Sequence, residues 1–158
     1  MSVVRITLLA NESDSIYARY SNSHDELSHL DIHLSDMRIS LMSLAYSTGD
    51  NFFNKDQELS RLQYNMLELE EDMGFYEEHL QQINSQARMK IMNDFTDIYR
   101  NTYLPAVQDI IRMVETNDLS QLERALEIAS VSGAMASENI QLLLDYSSEQ
   151  MIDFNYRL

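Results

Sequence analysis

The chain has 158 residues, with 11 Lys and Arg against 26 Asp and Glu, a formal net charge of −15. Its 3 Gly and 1 Pro are too few turn formers for a sandwich or barrel, while 44% hydrophobic residues suffice for one core. With no cysteine there is no disulfide, thiolate metal site or thioester chemistry. The acidic balance argues against nucleic acid and against an anionic membrane surface, because neutralising phosphates takes clustered Lys and Arg.

In chain order, apolar residues recur at alternating steps of three and four through four segments, roughly 13–47, 55–83, 86–116 and 119–152. The first places Ile16, Tyr20, Ser23, Leu27, Leu30, Leu34, Met37, Leu41 and Leu44 on one face. Ser47, Thr48, Gly49, Asp50 and Asn51 then make a turn. The second segment aligns Leu59, Leu62, Met66, Leu69, Met73, Tyr76, Leu80 and Ile83, and the polar stretch Asn84-Ser85-Gln86 breaks it. The third carries Ala87 or Arg88, Ile91, Phe95, Ile98 and Thr102, then shifts by one residue near Pro105 and continues through Tyr103, Val107, Ile110 and Val114. Proline removes one helical bond and clashes one turn back, so shift and proline mark the same irregularity. Asn117-Asp118 is placed to open the last helix, which keeps Leu119, Leu122, Leu126, Ala129, Gly133, Ala136, Ile140 and Leu143. Short connections between such helices predict an all-α, antiparallel up-down-up-down four-helix bundle filling residues 1–158 as one domain.

Two helices carry a second apolar stripe: Ile32, Ile39, Met42 and Tyr46 on the first, Ile128, Val131, Met135 and Leu142 on the fourth. The outer faces of the second and third read instead as charged, with Arg61, Glu68, Glu71, Glu78, Asp94, Asp97 and Arg100. Spare apolar surface on two adjacent helices is best buried against a second copy, so a homodimer through the first and fourth helices is expected.

The run Asp94-Phe95-Thr96-Asp97-Ile98-Tyr99-Arg100-Asn101-Thr102-Tyr103-Leu104-Pro105-Ala106-Val107, followed by Val114-Glu115-Thr116-Asn117-Asp118-Leu119-Ser120-Gln121-Leu122-Glu123-Arg124-Ala125-Leu126, resembles the third-to-fourth-helix hinge of the four-helix-bundle ligand-binding domain of methyl-accepting chemotaxis proteins. The layout agrees over about residues 13–152, and the hinge is its distinctive part. The resemblance implies an extracytoplasmic (periplasmic) sensory domain of a membrane-anchored inner-membrane receptor, held between two membrane spans and working as a homodimer. In the aspartate receptors of that family, first-helix arginines hold a ligand carboxylate. Here the first helix offers Arg19 and Arg38 without such a cluster, which puts aspartate recognition in doubt.

No segment reaches the roughly 18 to 20 uninterrupted apolar residues of a membrane span, which fits either a cytoplasmic protein or a domain cut from between two spans. The ligand reading therefore rests on level along the bundle. Arg38 borders both the core face and the second stripe, and a guanidinium suits a small carboxylate. Gln63, Tyr99, Thr102, Tyr103 and Ser130 fall at a similar height, where Ala129, Gly133 and Ala136 leave room. Catalytic and metal signals are thin: Glu26-Leu27-Ser28-His29 is a single ligand pair where a di-iron bundle needs two, and His29, His33 and Asp36 share a face off the core. The acidic group Glu68, Glu70, Glu71, Asp72, Glu77 and Glu78 reads as a solubilising face. The expectation is a non-enzymatic sensor without cofactor or metal, passing ligand occupancy on as a helix displacement. The alternative is a soluble dimeric bundle that binds another protein through its first and fourth helices.

Overall fold

The computed structural model describes the backbone of residues 2–46 and 54–157, and side chains within 22–46 and 54–153 together with residue 156. The described residues are 94% helical and include no strand. Helix α1 is Ser2–Tyr46, α2 Lys55–Ile83, α3 Gln86–Ile98, α4 Leu104–Thr116 and α5 Leu122–Arg157. A π-helical turn, Tyr99–Tyr103, joins α3 to α4 into one continuous third helix. The structure thus has four helices, and α1 begins well before the expected residue 13. The expected turn at 47–51 and the side chains of Ile16, Arg19 and Tyr20 lie outside the described residues.

Local chemistry sets the breaks. Asn84 ends α2 in the left-handed conformation at φ 54°, where its N–H donates to the Leu80 carbonyl. Asparagine tolerates this region better than most residues with a Cβ. Ser85 then caps α3, its hydroxyl accepting from the Arg88 N–H at 3.4 Å. Asn117 repeats the left-handed stop at the end of α4, so it closes that helix rather than opening the next. Asp118 accepts from the N–H and hydroxyl of Ser120, holding a short turn before α5 begins at Leu122, later than residue 119.

One cluster of buried apolar side chains runs through all the helices, with Leu27, Leu30, Leu34, Met37, Leu41 and Leu44 from α1 meeting Leu62, Leu69, Met73 and Tyr76 from α2. From α5 come Ala129, Ala136, Ile140 and Leu143. In the third helix the inward series is Arg88, Met92, Phe95, Tyr99 and Tyr103, then Ala106, Val107, Ile110 and Val114. This corrects the sequence register: Ile91 and Ile98 are only half-buried and Thr102 is exposed. The cause is the π turn. The Leu104 N–H donates to the Tyr99 carbonyl five residues back, which accommodates one extra residue just before Pro105, whose lack of an N–H suits it to the start of α4. Both tyrosines therefore face the core across two successive steps of four.

Candidate ligand-binding site

The π turn builds the most distinctive interior feature, a column of aromatic rings. Phe95 and Tyr99 stack with centroids 6.0 Å apart, and Tyr103 follows at another 6.0 Å. Both tyrosines are fully buried, and neither hydroxyl has a hydrogen-bond partner among the described residues. Burial pushes both phenols well above the ordinary tyrosine range, with the Arg38 charge opposing that rise at Tyr103. They are neutral donors over the whole physiological range. The nearby Ser40 hydroxyl of α1 is likewise buried without a partner.

Beside this column, α1 and α5 enclose a groove of about 220 Å³ lined by Arg38, Leu41, Met42, Ala45, Tyr46, Leu126, Ala129 and Ser130. Arg38 is half-buried at its edge and forms no ion pair among the described residues. Gly133 brings the groove and the tyrosines together: a Cβ placed there would lie 2.9 Å from Cε2 of Tyr103 and 3.5 Å from Cδ of Arg38. The structure thus gathers Arg38, Ser130 and Tyr103 about one seam, with Tyr99 next along the column. Gln63 and Thr102 do not join them, being exposed on α2 and on the outer side of the π turn.

No protein-family model, curated protein or solved structure matches the chain.

The second stripes are exposed, including Ile32, Ile39, Met42 and Tyr46 on α1 and Ile128, Val131, Met135 and Leu142 on α5. Met42 and Tyr46 border the Arg38 groove, whereas Met135 and Leu142 border a depression shared with Asp94, Asp97 and Ile98 of α3. Helix α2 also exposes Tyr64, Leu67 and Phe75, so its outer face is less purely charged than its sequence suggests.

His33 and His79 lie in the α1–α2 seam, while His24 reaches Ser147 of α5. His33 donates through Nδ1 to Oδ1 of Asn65 at 2.7 Å and its Nε2 lies 3.5 Å from Asp72, while Nδ1 of His79 is 2.5 Å from Oε2 of Glu26. Glu26 is thus engaged with His79 of α2, and no three such groups gather among the described residues. Burial holds the carboxyls of both Glu26 and Asp72 above their ordinary values despite the histidines opposite them. Across the other side of α2, Arg100 of the π turn pairs with Glu70 at 2.9 Å and the Thr96 hydroxyl donates to Glu77 at 3.4 Å.

Two further interior groups, both on core series read from the sequence, carry polar atoms without a hydrogen-bond partner among the described residues. Arg88 is 1% exposed, and Tyr76 is fully buried with an unpartnered hydroxyl. The signal for Arg88 lay in the helical series, which passes through Ala87 or Arg88 and admits either. A charged side chain is the less expected choice for a core.

Proposed function

We propose that this chain is a ligand-binding sensory module, an antiparallel up-down-up-down bundle that acts as a homodimer and takes a small organic carboxylate at the Arg38 groove. The observation that carries the reading is an uncommitted guanidinium at the rim of a groove, beside buried tyrosine hydroxyls with no protein partner. A protein of net charge −15 repels anions at long range, so anion binding requires such a locally placed cation and hydroxyl donors.

The alternation of helix direction is supported by which residues meet. Glu26 lies against His79 and His33 against Asn65, so numbers fall along α2 as they rise along α1. His24 reaches Ser147 while Arg38 shares its groove with Ser130, and Arg88 reaches Tyr146 while Tyr103 sits by Gly133. At the end where Glu26 meets His79, α2 stops four residues later, whereas α1 extends back to Ser2 and α5 on to Arg157. At 1.5 Å per residue the α1 overhang is about 30 Å beyond the end of α2. Two helices leaving one end of a bundle are what a receptor with paired membrane connections needs, and this agrees with the resemblance to chemoreceptor sensory domains. No described helix is itself long and apolar enough to cross a membrane. Signalling then follows as a shift between packings of α5 against α1, driven by the ligand's differential affinity for them.

The test is a thermal-shift screen of small carboxylates followed by titration of Arg38→Ala. The wild-type melting temperature rises with ligand along a saturable occupancy curve, and Arg38→Ala loses that rise. A screen in which no carboxylate distinguishes the wild type from Arg38→Ala removes the groove from the reading. A second reading, a module that docks another protein, is favoured by the exposed apolar faces on α1, α2 and α5, and gains if no small molecule shifts the melting.

A further inference from the structure

Far from the Arg38 groove, at the start of α3, Arg88 presents an unresolved interior charge. Its side chain is 1% exposed, yet it forms no ion pair among the described residues. Among the described residues its side chain has one acceptor, the backbone carbonyl of Tyr146 in α5, reached from Nη2 at 3.2 Å, while Nε and Nη1 have none. A guanidinium carries five N–H donors and cannot shed its charge. Whichever Nη2 hydrogen goes to Tyr146, the other lies on an edge shared with Nε or with Nη1, so a two-donor edge stays open.

The neighbouring chemistry is of the same kind. Tyr76 of α2 is fully buried with its hydroxyl unpartnered, and its phenol is pushed up to about 12 by burial, with the Arg88 charge opposing the rise. The one acid that acts on Tyr76, Glu26, is engaged with His79. A buried, unpaired charge is among the most destabilising features a core can hold, because its hydration is lost without replacement. Uncompensated buried donors on this scale are rare in native proteins and call for a partner of opposite polarity.

We propose that the interior of the bundle between Arg88 of α3, Tyr76 of α2 and Tyr146 of α5 binds a compact carboxylate, held bidentately on the open guanidinium edge and capped by the Tyr76 hydroxyl. With Arg88 and Tyr76 both buried, the occupant is kept to a species of formate or acetate size. A carboxylate matches the two-donor edge and leaves a lone pair for the phenol, which a spherical halide does with one fewer directed bond. The site is independent of the Arg38 groove: it lies at the other end of the interior, by the α2–α3 turn, and uses none of the same residues.

The experiment uses the whole chain, dialysed into a buffer whose only anion is a bulky sulfonate, and follows melting temperature as sodium formate, acetate or chloride replaces the sulfonate at constant ionic strength. Fixed ionic strength removes the general screening expected for so acidic a protein. Formate or acetate raises the melting temperature along a saturable curve, with chloride needing several-fold higher concentration. Arg88→Met abolishes the response and melts no lower than the wild type in sulfonate, because the uncompensated charge is gone. Tyr76→Phe, which keeps the ring, raises the midpoint concentration several-fold and covers the case in which Arg88→Met does not fold. The titrations are run in an Arg38→Ala background, so that the groove contributes nothing to the response. A wild-type response no greater than the sulfonate control, a response retained in Arg88→Met, or an unchanged midpoint in Tyr76→Phe overturns the inference.

Discussion

Gly133 of α5 and Tyr103 of the π turn approach so closely that a methyl group on the glycine would meet Cε2 of the ring at 2.9 Å. The ring is fully buried and flanked by Tyr99, so it has no free space into which to swing. Gly133→Ala therefore sets about 1 kcal/mol of gained helix propensity against about 1–3 kcal/mol of overpacking, and a net loss of stability is expected in urea unfolding. Gly74 supplies the control: it is exposed within α2, and a Cβ there meets nothing within 4 Å. Gly74→Ala should gain about 0.5–1 kcal/mol. Equal gains at both positions would mean that the tyrosine ring yields freely.

Exposed stripes make the dimer testable at a single helix face. Ile39 is 55% and Met42 58% exposed, so charged residues there cost little in the monomer fold. Replacing both with Asp should shift sedimentation from dimer to monomer, with helicity by circular dichroism unchanged. The matching change at Met135 and Leu142 probes the other side of α5. Because the two stripes flank different seams, a compact twofold interface needs only one of them, and the pair of variants identifies which. A dimer indifferent to both would place its interface elsewhere, with the exposed Tyr64, Leu67 and Phe75 of α2 next in order.

The α1–α2 seam gives a pH dependence with a definite sign. Burial raises the carboxyls of Glu26 and Asp72 above their ordinary values of 4.5 and 3.8, so the folded protein holds these protons more tightly than the unfolded chain. Stability contributed by the two groups is fully present only below those ordinary values and is lost as pH rises through the higher folded ones. The urea midpoint should therefore increase as pH falls through the raised folded values towards the ordinary ones. Glu26→Gln with Asp72→Asn should flatten that slope while leaving the midpoint at its low-pH end little changed. A slope that survives both substitutions would assign it to other acids of this strongly negative chain.

The inner face of α1 is legible in the sequence residue by residue, because an uninterrupted series at steps of three and four has one solution on a helix. Leu27, Leu30, Leu34, Met37, Leu41 and Leu44 are all buried, whereas in α2 Asn65 is buried beside a half-buried Met66 and in α5 Ala125 is buried beside a half-buried Leu126. The third helix was less legible for a physical reason. A π turn adds one residue with no change in composition, so Ile98 and Thr102 stand where a continuous α-helix would put the core, and Tyr99 and Tyr103 take it instead. Of the residues grouped by level along the bundle, Arg38, Ser130 and Tyr103 lie about one seam, whereas Gln63 and Thr102 point elsewhere, since height does not fix direction around a helix. Arg88 was hidden differently, because periodicity reports which positions face inward and is silent on why a charge should be among them.

The unpartnered phenols separate stability from binding. A buried hydroxyl without a partner costs roughly 1–3 kcal/mol relative to an apolar group of the same shape. Tyr103→Phe keeps the ring packed against Gly133 and Tyr99 and removes only that oxygen, as Tyr99→Phe does one step along the column. In the ligand-free protein each substitution should leave stability unchanged or raise it by up to about 1 kcal/mol, measured by urea unfolding. With a saturating carboxylate from the screen, the order should reverse for Tyr103→Phe. The hydroxyl that is a liability in the empty bundle then donates to the ligand beside Arg38, and its loss weakens binding by about 0.5–1.5 kcal/mol, a few-fold to about tenfold in Kd. Tyr103→Phe that destabilises the ligand-free protein by more than 1 kcal/mol would give the hydroxyl a structural partner and take it out of the binding site.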